Sequence, residues 1–203
     1  MTDLYLAALD VQRLCEQQGW PFCIIGGIAV QRWGEVRFTE DVDLTLFTGF
    51  GGEEHFLDFW LKHYRLRSSC SRETALSNRV LLLANSRGVP IDIALGAIDF
   101  ERRSIERSSL WQIPEGAALR TCSAEDLLVH KCFASRDRDW IDVDGILARQ
   151  KGGLNLELVR KELKPLVDLK EEPQIIKRLE EKIIRNSQPF TRIQPAKRRP
   201  DQT

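Results

Sequence analysis

The sequence of 203 residues predicts a fold of the α/β (α+β) class: a short mixed β-sheet flanked by helices, with a helical domain after it. Two observations carry the prediction. Apolar side chains occupy every second position in residues 41–47 and again in 90–95, as in half-buried strands. After residue 122 the apolar spacing becomes helical. We therefore expect a core domain over residues 1–122, a helical domain over 123–187, and a basic polar tail over 188–203 that is disordered or ordered only on contact.

The first part of the chain predicts two helices around a strand. Apolar residues recur at helical spacing over residues 3–18, and Gly19 stands where a C-terminal cap belongs. The segment PFCII predicts a strand, after which Gly26 and Gly27 open a short helix that ends at Gly34. Residues 51–64 predict a further amphipathic helix.

Residues 41–47 predict a strand with one apolar and one acidic face. Val42 and Leu44 point one way, whereas Asp41 and Asp43 point the other. Two carboxylates on one face repel each other unless a cation lies between them. The simpler interpretation, solvent-facing acids on an amphipathic strand, requires a segment of poor β propensity for no functional reason.

A third carboxylate, Asp92, is predicted on the polar side of a neighbouring strand. Residues 79–95 read as a hairpin whose second strand alternates apolar residues with Asp92. Mg²⁺ prefers oxygen ligands and is commonly held by one or two carboxylates together with substrate phosphates. Asp41, Asp43 and Asp92 are therefore predicted both as ligands of two Mg²⁺ ions and as catalytic residues, with Asp92 placed to accept a proton.

The pair Gly26 and Gly27 predicts a phosphate-binding turn. Glycines leading into a helix expose backbone N–H groups without a Cβ in the way, and the helix dipole adds positive potential. Such a pair alone is common in ordinary turns. Followed by Asp41 and Asp43, and by Asp92 in a later strand, it indicates a nucleoside triphosphate (NTP) site.

The region after residue 122 predicts four helices. Ser123 provides a capping signal for the first, over residues 124–135. The others are predicted over residues 138–150, 156–167 and 172–186.

The composition excludes several classes of protein. Five cysteines without a CxxC pair and three scattered histidines favour reduced thiols and disfavour a disulfide framework or a His/Cys metal site. No apolar run is long enough for a membrane span, and no export signal is visible at the start, so a cytoplasmic location is expected. The formal net charge is zero, but basic residues cluster locally, most densely in RIQPAKRRP near the end.

The segment GGIAVQRWGEVRFTEDVDL resembles the signature of the DNA polymerase β-type nucleotidyltransferase superfamily. Together with DLLVHKCFASRDRDWIDVDGIL it is similar to nucleotidyltransferases of the AbiEii/AbiGii abortive-infection toxin type. The resemblance covers residues 22–147. It implies a nucleotidyltransferase fold with the nucleotide in a cleft between the two domains.

The resemblance also implies roles for individual residues. On the nucleotide side, Gly26 and Gly27 would form the phosphate turn, and Arg37 and Thr39 would contact phosphate or support the loop. Lys131 would face the nucleotide, and Asp139 or Asp142 would be the acid that follows this lysine. Lys131 as an ordinary surface lysine, and Asp139 in local ion pairs with Arg136 or Arg138, remain equal alternatives. Phe38, beside the acidic strand, is the aromatic residue best placed for stacking.

The predicted reaction is transfer of a nucleoside monophosphate from ATP or another NTP to a hydroxyl group, with release of pyrophosphate. The basic clusters favour an RNA acceptor, such as a tRNA 3′ end, and the resemblance implies a toxin with an antitoxin partner. Two alternatives remain: an adenylyltransferase acting on an antibiotic or another small molecule, and a catalytically silent nucleotide- or RNA-binding protein.

Overall fold

The computed structural model describes residues 2–114 and 116–187, and the predicted tail over 188–203 lies outside the described residues. Within these ranges the chain forms nine helices and one seven-stranded sheet, which confirms the predicted α/β class. The strands are β1 (Phe22–Ile24), β2 (Val42–Phe47), β3 (Arg65–Leu66), β4 (Val80–Ala84), β5 (Pro90–Gly96), β6 (Ser109–Gln112) and β7 (Ala118–Thr121). The helices are α1 (Asp3–Gln18), α2 (Gly26–Trp33), α3 (Glu53–Trp60), α4 (Arg72–Asn78), α5 (Asp99–Glu106), α6 (Ala124–Ala134), α7 (Asp137–Arg149), α8 (Leu156–Lys170) and α9 (Gln174–Ser187).

The sheet is mixed, with the strand order β3-β4-β5-β2-β1-β7-β6. β2 lies at its centre, parallel to β5 and antiparallel to β1. In the β2–β5 register Asp43 is directly paired with Asp92. Side chains of paired residues lie on the same face of a sheet, so the pairing sets these two carboxylates side by side.

Helix ends follow the capping signals in the sequence. The Ser123 side chain accepts a hydrogen bond from the Asp126 amide at the start of α6, as the Thr2 side chain does from the Tyr5 amide at the start of α1. Gly19 ends α1 in the left-handed conformation, with φ of 66°. These ends confirm the prediction for both helices.

The buried apolar residues form two clusters. One joins α1, α3 and α4 to the sheet, with Trp60 and Leu44 among its fully buried members. The other contains residues of α6 to α9 together with Cys23 of β1, Ala29 of α2 and Phe100 of α5. Burial of α2 and α5 with the C-terminal helices places α6 and α7 beside the central strands. The domain boundary at residues 122 and 123 stays a prediction.

Several elements differ from the sequence-based expectation. β2 begins at Val42, so Asp41 precedes the strand, and α3 is shorter than the predicted 51–64 helix. The short strand β3, the edge pair β6–β7 and helices α4 and α5 were not predicted. β6 carries little apolar alternation because its residues are mostly exposed, and α5 is rich in charged residues that are paired elsewhere in the fold.

Over the part of the chain that the structure describes, no helix has the length and apolar character needed to cross a membrane.

An ion-pair network fixes α5 against the C-terminal helices. Arg107, at the end of α5, donates two hydrogen bonds to the fully buried carboxylate of Asp126 in α6 and one to Glu162 in α8. Arg103 donates two more to Glu162. Removing one partner from such a network leaves a buried charge unpaired, which is strongly destabilising.

We predict that Arg107→Met lowers the free energy of unfolding by about 2–3 kcal/mol, because Asp126 stays buried without its main partner. Urea denaturation measures the change. Arg102→Met is the matched control, since its pairs with Asp99 and Glu106 are exposed and contribute little. Equal stability of the two variants would show that the network does not fix α5.

Candidate active site

A cleft of about 750 Å³ opens between the sheet and helices α6 and α7. A cavity of this size is typical of small-ligand sites. It brings together eight of the nine residues predicted for the site: Gly26, Gly27, Arg37, Asp41, Asp43, Asp92, Lys131 and Asp139. The ninth, Thr39, contacts the same site through Asp41, whose carboxylate accepts a hydrogen bond of 2.7 Å from the Thr39 hydroxyl.

The three predicted carboxylates act electrostatically on one another. The pKa of Asp43 is raised to about 6. Burial is the largest cause, and the neighbouring charges of Asp41 and Asp92 add to it. Burial also raises the pKa of Asp92, against the opposing effect of Arg67. Negative charge is therefore concentrated where the centre of the sheet meets the cleft.

Asp43 lies against the glycine turn. The Ile25 amide donates to the Asp43 carbonyl at 3.0 Å, and the Gly27 amide donates a longer bond of 3.4 Å to Asp43 Oδ2. Gly26 has φ of 60°, and a Cβ on it would lie 1.8 Å from Asp43 Oδ2. Only glycine satisfies both the backbone conformation and this close approach.

Gly27 is required for a different reason. A Cβ on it would lie 2.1 Å from the Thr39 hydroxyl oxygen. Thr39 is buried and its hydroxyl orients the Asp41 carboxylate. The absence of a Cβ at Gly27 leaves the space that Thr39 occupies. The turn, Thr39 and the two acids form one packed unit.

The donor set suits a hard divalent cation such as Mg²⁺. Each carboxylate already has one partner: Thr39 for Asp41, the Gly27 amide for Asp43 and Arg67 for Asp92. As they stand, the described residues contain no group of three or more acidic, His or Cys side chains arranged to hold an ion. After burial, repulsion from Asp41 and Asp92 raises the pKa of Asp43, and a bound cation would offset that repulsion; Mg²⁺ as the ion stays a prediction.

Lys131 is buried and belongs to a chain of ion pairs. Its ammonium lies 2.8 Å from a carboxylate oxygen of Asp142 and 3.1 Å from one of Asp139. Arg37 donates two hydrogen bonds to Asp142, and Arg136 pairs with Asp139. The network joins the segment before β2 to α6 and α7, and thereby fixes the two walls of the cleft.

These pairs keep both aspartates ionised. Burial alone would raise the pKa of Asp142, but hydrogen bonds from Arg37 and Lys131 outweigh it and lower the pKa. The pKa of Asp139 is likewise lowered, because bonds from Arg136 and Lys131 exceed the effect of burial. Lys131 lines the cleft, but its described partners are these two acids. Its predicted contact with the nucleotide stays a prediction.

The cleft also contains residues that the sequence did not single out for the site: His130, Phe133, Arg136, Arg138 and Lys170. Burial lowers the pKa of His130 to about 4, so its ring is neutral near pH 7. A lone histidine in a helix gives no sequence signal. Arg136 and Arg138 had been considered as local ion-pair partners of Asp139, and the structure pairs Arg136 with it.

Arg67 is the other residue that sequence analysis missed. It directly follows the short strand β3, and its guanidinium pairs with Asp92. The contact spans 25 positions in the chain and depends on the β3–β4–β5 pairing, so no local pattern could reveal it.

Comparisons with known proteins give similarity at the level of solved structures. No protein-family model matches the chain, and no curated protein matches it. An antigenic nucleotidyltransferase-like protein from Paracoccidioides brasiliensis is similar at 16% identity, over 87% of this chain and 91% of that chain, with a TM-score of 0.45. The antibiotic-resistance factor ANT(2'')-Ia is similar at 18% identity over 85% and 92%, with a TM-score of 0.45.

A third similar structure is the lincosamide antibiotic adenylyltransferase LnuA with lincomycin bound, at 15% identity over 71% of this chain and 98% of that chain, with a TM-score of 0.41. Likenesses at these scores are too distant to carry an argument about function. The function is therefore inferred from the geometry of the site.

We predict that Asp43→Asn changes how stability depends on pH in the metal-free protein. The Asp43 carboxyl holds its proton up to about pH 6 when folded but ionises near its ordinary pKa of 3.8 when unfolded. The contribution of Asp43 to the free energy of unfolding should therefore fall as the pH rises through this window, whereas His130, whose pKa is lowered by burial, contributes in the opposite direction in both proteins. Asn carries no charge and removes that fall.

Melting temperatures with a metal chelator present check this prediction. Near pH 8, Asp43→Asn should melt above the wild type, and the difference should shrink towards pH 4. Added Mg²⁺ should stabilise the wild type more than the variant, because a cation offsets the repulsion among the acids. Parallel pH profiles for the two proteins would contradict the assigned coupling.

Proposed function

We propose that the protein is a nucleotidyltransferase that moves a nucleoside monophosphate from an NTP to a hydroxyl group and releases pyrophosphate. One observation carries the proposal: the Gly26–Gly27 turn packs directly against Asp43, with Asp41 and Asp92 beside it in one cleft. The turn offers backbone N–H groups to phosphate, while the acids offer oxygen ligands to a metal.

The walls of the cleft suit a triphosphate. Arg136 and Lys170 line it on the side of the helices, and the start of α2 faces it from the sheet. The guanidinium and the ammonium would offset phosphate charge, and the α2 dipole adds positive potential near its first turn. Neutral His130 would face the nucleotide as a hydrogen-bonding group without adding charge.

Asp41, Asp43 and Asp92 would hold Mg²⁺, two ions in the proposed site. When bound, the ions supply Lewis-acid stabilisation of the phosphate charge at the reacting centre. The remaining chemistry belongs to the chain. Asp92 accepts the proton of the acceptor hydroxyl, whose oxygen forms a bond to the α-phosphorus. The bond from the α-phosphorus to the oxygen bridging it to the β-phosphate breaks, and pyrophosphate leaves with that oxygen.

The proposed acceptor is an RNA end, such as a tRNA 3′ terminus, and the proposed biological role is that of a toxin neutralised by an antitoxin. Support comes from the basic residues around the cleft and from the density of Lys and Arg in the sequence over residues 188–203. A small-molecule acceptor is the competing candidate. Incubation with α-labelled NTPs, Mg²⁺ and either total tRNA or a mixture of aminoglycosides and lincosamides distinguishes the two by which compound becomes labelled.

We predict that Asp41→Asn lowers the transfer rate by about a thousandfold or more, since a neutral amide binds Mg²⁺ weakly. Release of pyrophosphate with each NTP measures the rate. The control is Asp58→Asn, which removes an exposed acid of α3 outside the cleft. A folded Asp41→Asn protein that retains transfer within threefold of wild type would refute the metal-dependent mechanism.

A further inference from the structure

A second, smaller cavity adjoins the cleft on the side of the acidic strand. Its volume is about 230 Å³, and it shares Asp41 and Arg138 with the larger cleft. Phe38, Glu40 and Arg67 also line it. It therefore opens beside the carboxylates and away from the phosphate turn. If the NTP fills the larger cleft, the acceptor must approach from this side.

We propose that this cavity binds the 3′-terminal nucleotide of a single-stranded RNA, with the base stacked on Phe38 and the adjacent phosphate at Arg138. The inference rests on the proposed nucleotidyl transfer and assigns its acceptor subsite to particular residues. The terminal hydroxyl would then lie towards Asp41 and Asp92. Three features of the described residues carry the assignment.

The first feature is an exposed aromatic ring at the mouth of the cavity. Phe38 is 76% exposed and lines the cavity. Its backbone is fixed, because the Phe38 carbonyl accepts hydrogen bonds of 3.2 Å from Arg37 and 2.9 Å from Arg138. An exposed ring at the mouth of a cavity, on a backbone held by two hydrogen bonds, is a suitable platform for stacking a base.

The second feature is a guanidinium without a counter-charge. Among the described residues Arg138 has no acidic partner, and its hydrogen bond goes to the Phe38 carbonyl. Arg37 and Arg136, by contrast, are paired with Asp142 and Asp139. Arg138 thus keeps donors for a phosphate while its position is fixed beside the aromatic ring.

The third feature is a buried donor without a partner. Arg67 donates to Asp92 through one terminal nitrogen, Nη2, but its Nε is buried and forms no hydrogen bond within the described residues. Buried donors of this kind are rare and indicate a missing partner. The Arg67 side chain lines the cavity beside the proposed base Asp92, so a small shift of the guanidinium would bring this donor to an acceptor oxygen bound there.

The charges that line the cavity balance, Arg67 and Arg138 against Glu40 and Asp41, so a phosphate is favoured locally, at Arg138. Arg138 is uncompensated, Arg67 is neutralised by Asp92, and Asp41 belongs to the metal site. Glu40 is the remaining acid on the rim and is exposed. Arg138 would repel a polycation, whereas Glu40 would repel a phosphate. Glu40→Gln should therefore tighten RNA binding.

The test measures binding of a short fluorescent RNA with a free 3′ hydroxyl, by anisotropy over a salt series with Mg²⁺ present, alongside transfer kinetics. We expect Phe38→Ala to raise the RNA dissociation constant about tenfold and Phe38→Trp to restore it, since stacking tolerates any aromatic ring. Arg138→Gln should weaken binding and reduce the salt slope by about 0.7, the loss of one phosphate contact on a single strand. Arg138→Lys should keep the slope.

Two matched controls lie outside the cavity. Phe50 is similarly exposed, at 74%, and Arg65 is an exposed arginine of β3. Phe50→Ala and Arg65→Gln should leave RNA binding and the salt slope unchanged. Melting temperatures check that each variant is folded, and in Phe38→Ala the KM for NTP should stay within twofold while the KM for RNA rises.

The measurement of RNA binding tests the subsite independently of whether the protein catalyses nucleotidyl transfer. Loss of RNA affinity in Phe38→Ala and Arg138→Gln supports the subsite even if no NTP is turned over, which would refute only the nucleotidyl transfer. RNA binding unchanged in both variants overturns the subsite even if transfer occurs. Labelling of an aminoglycoside in place of RNA, with weaker labelling by Glu40→Gln, also overturns it.

Discussion

The pairing of β2 with β5 imposes the constraint on which the rest of the site depends. The register sets Asp43 directly beside Asp92, and Asp41 is the residue immediately before the strand. Burial, and after it the charges of Asp41 and Asp92, raise the pKa of Asp43, and an ionised Asp43 destabilises the metal-free fold. The fold tolerates this cost because the apolar faces of the same strands are fully buried, with Leu44 and Ile93 at the centre of the core.

Cations from distant parts of the chain compensate for the acids and also define the shape of the cleft. Arg67, directly after β3, pairs with Asp92, and Lys131 pairs with both Asp139 and Asp142 on the opposite wall. Arg37 closes the network across the cleft, since it belongs to the segment that leads into β2 and pairs with α7. The position of the helical wall relative to the acids is therefore fixed by ion pairs as well as by apolar packing.

Much of the site could be predicted because its chemistry is local in the chain. Gly26 and Gly27 follow a strand and begin a helix, while Asp41, Asp43 and Asp92 stand out against apolar alternation. The structure adds the steric reason for the glycines, namely the carboxylate of Asp43 and the hydroxyl of Thr39, which lie where each Cβ would be. The main helices and the 79–95 hairpin were predicted from periodicity and capping for the same reason.

The parts that could not be predicted depend on contacts between distant segments. Helix α5 looks too polar to pack, yet its charged side chains meet acids of α6 and α8 that are buried only in the folded chain. Arg67 and Arg138 differ in role although both are guanidinium groups beside Asp41. Arg67 is committed to Asp92, whereas Arg138 meets only a backbone carbonyl. Whether an arginine balances a buried acid or stays available to a ligand is decided by which acids the fold brings within reach, and residue type alone does not contain that information.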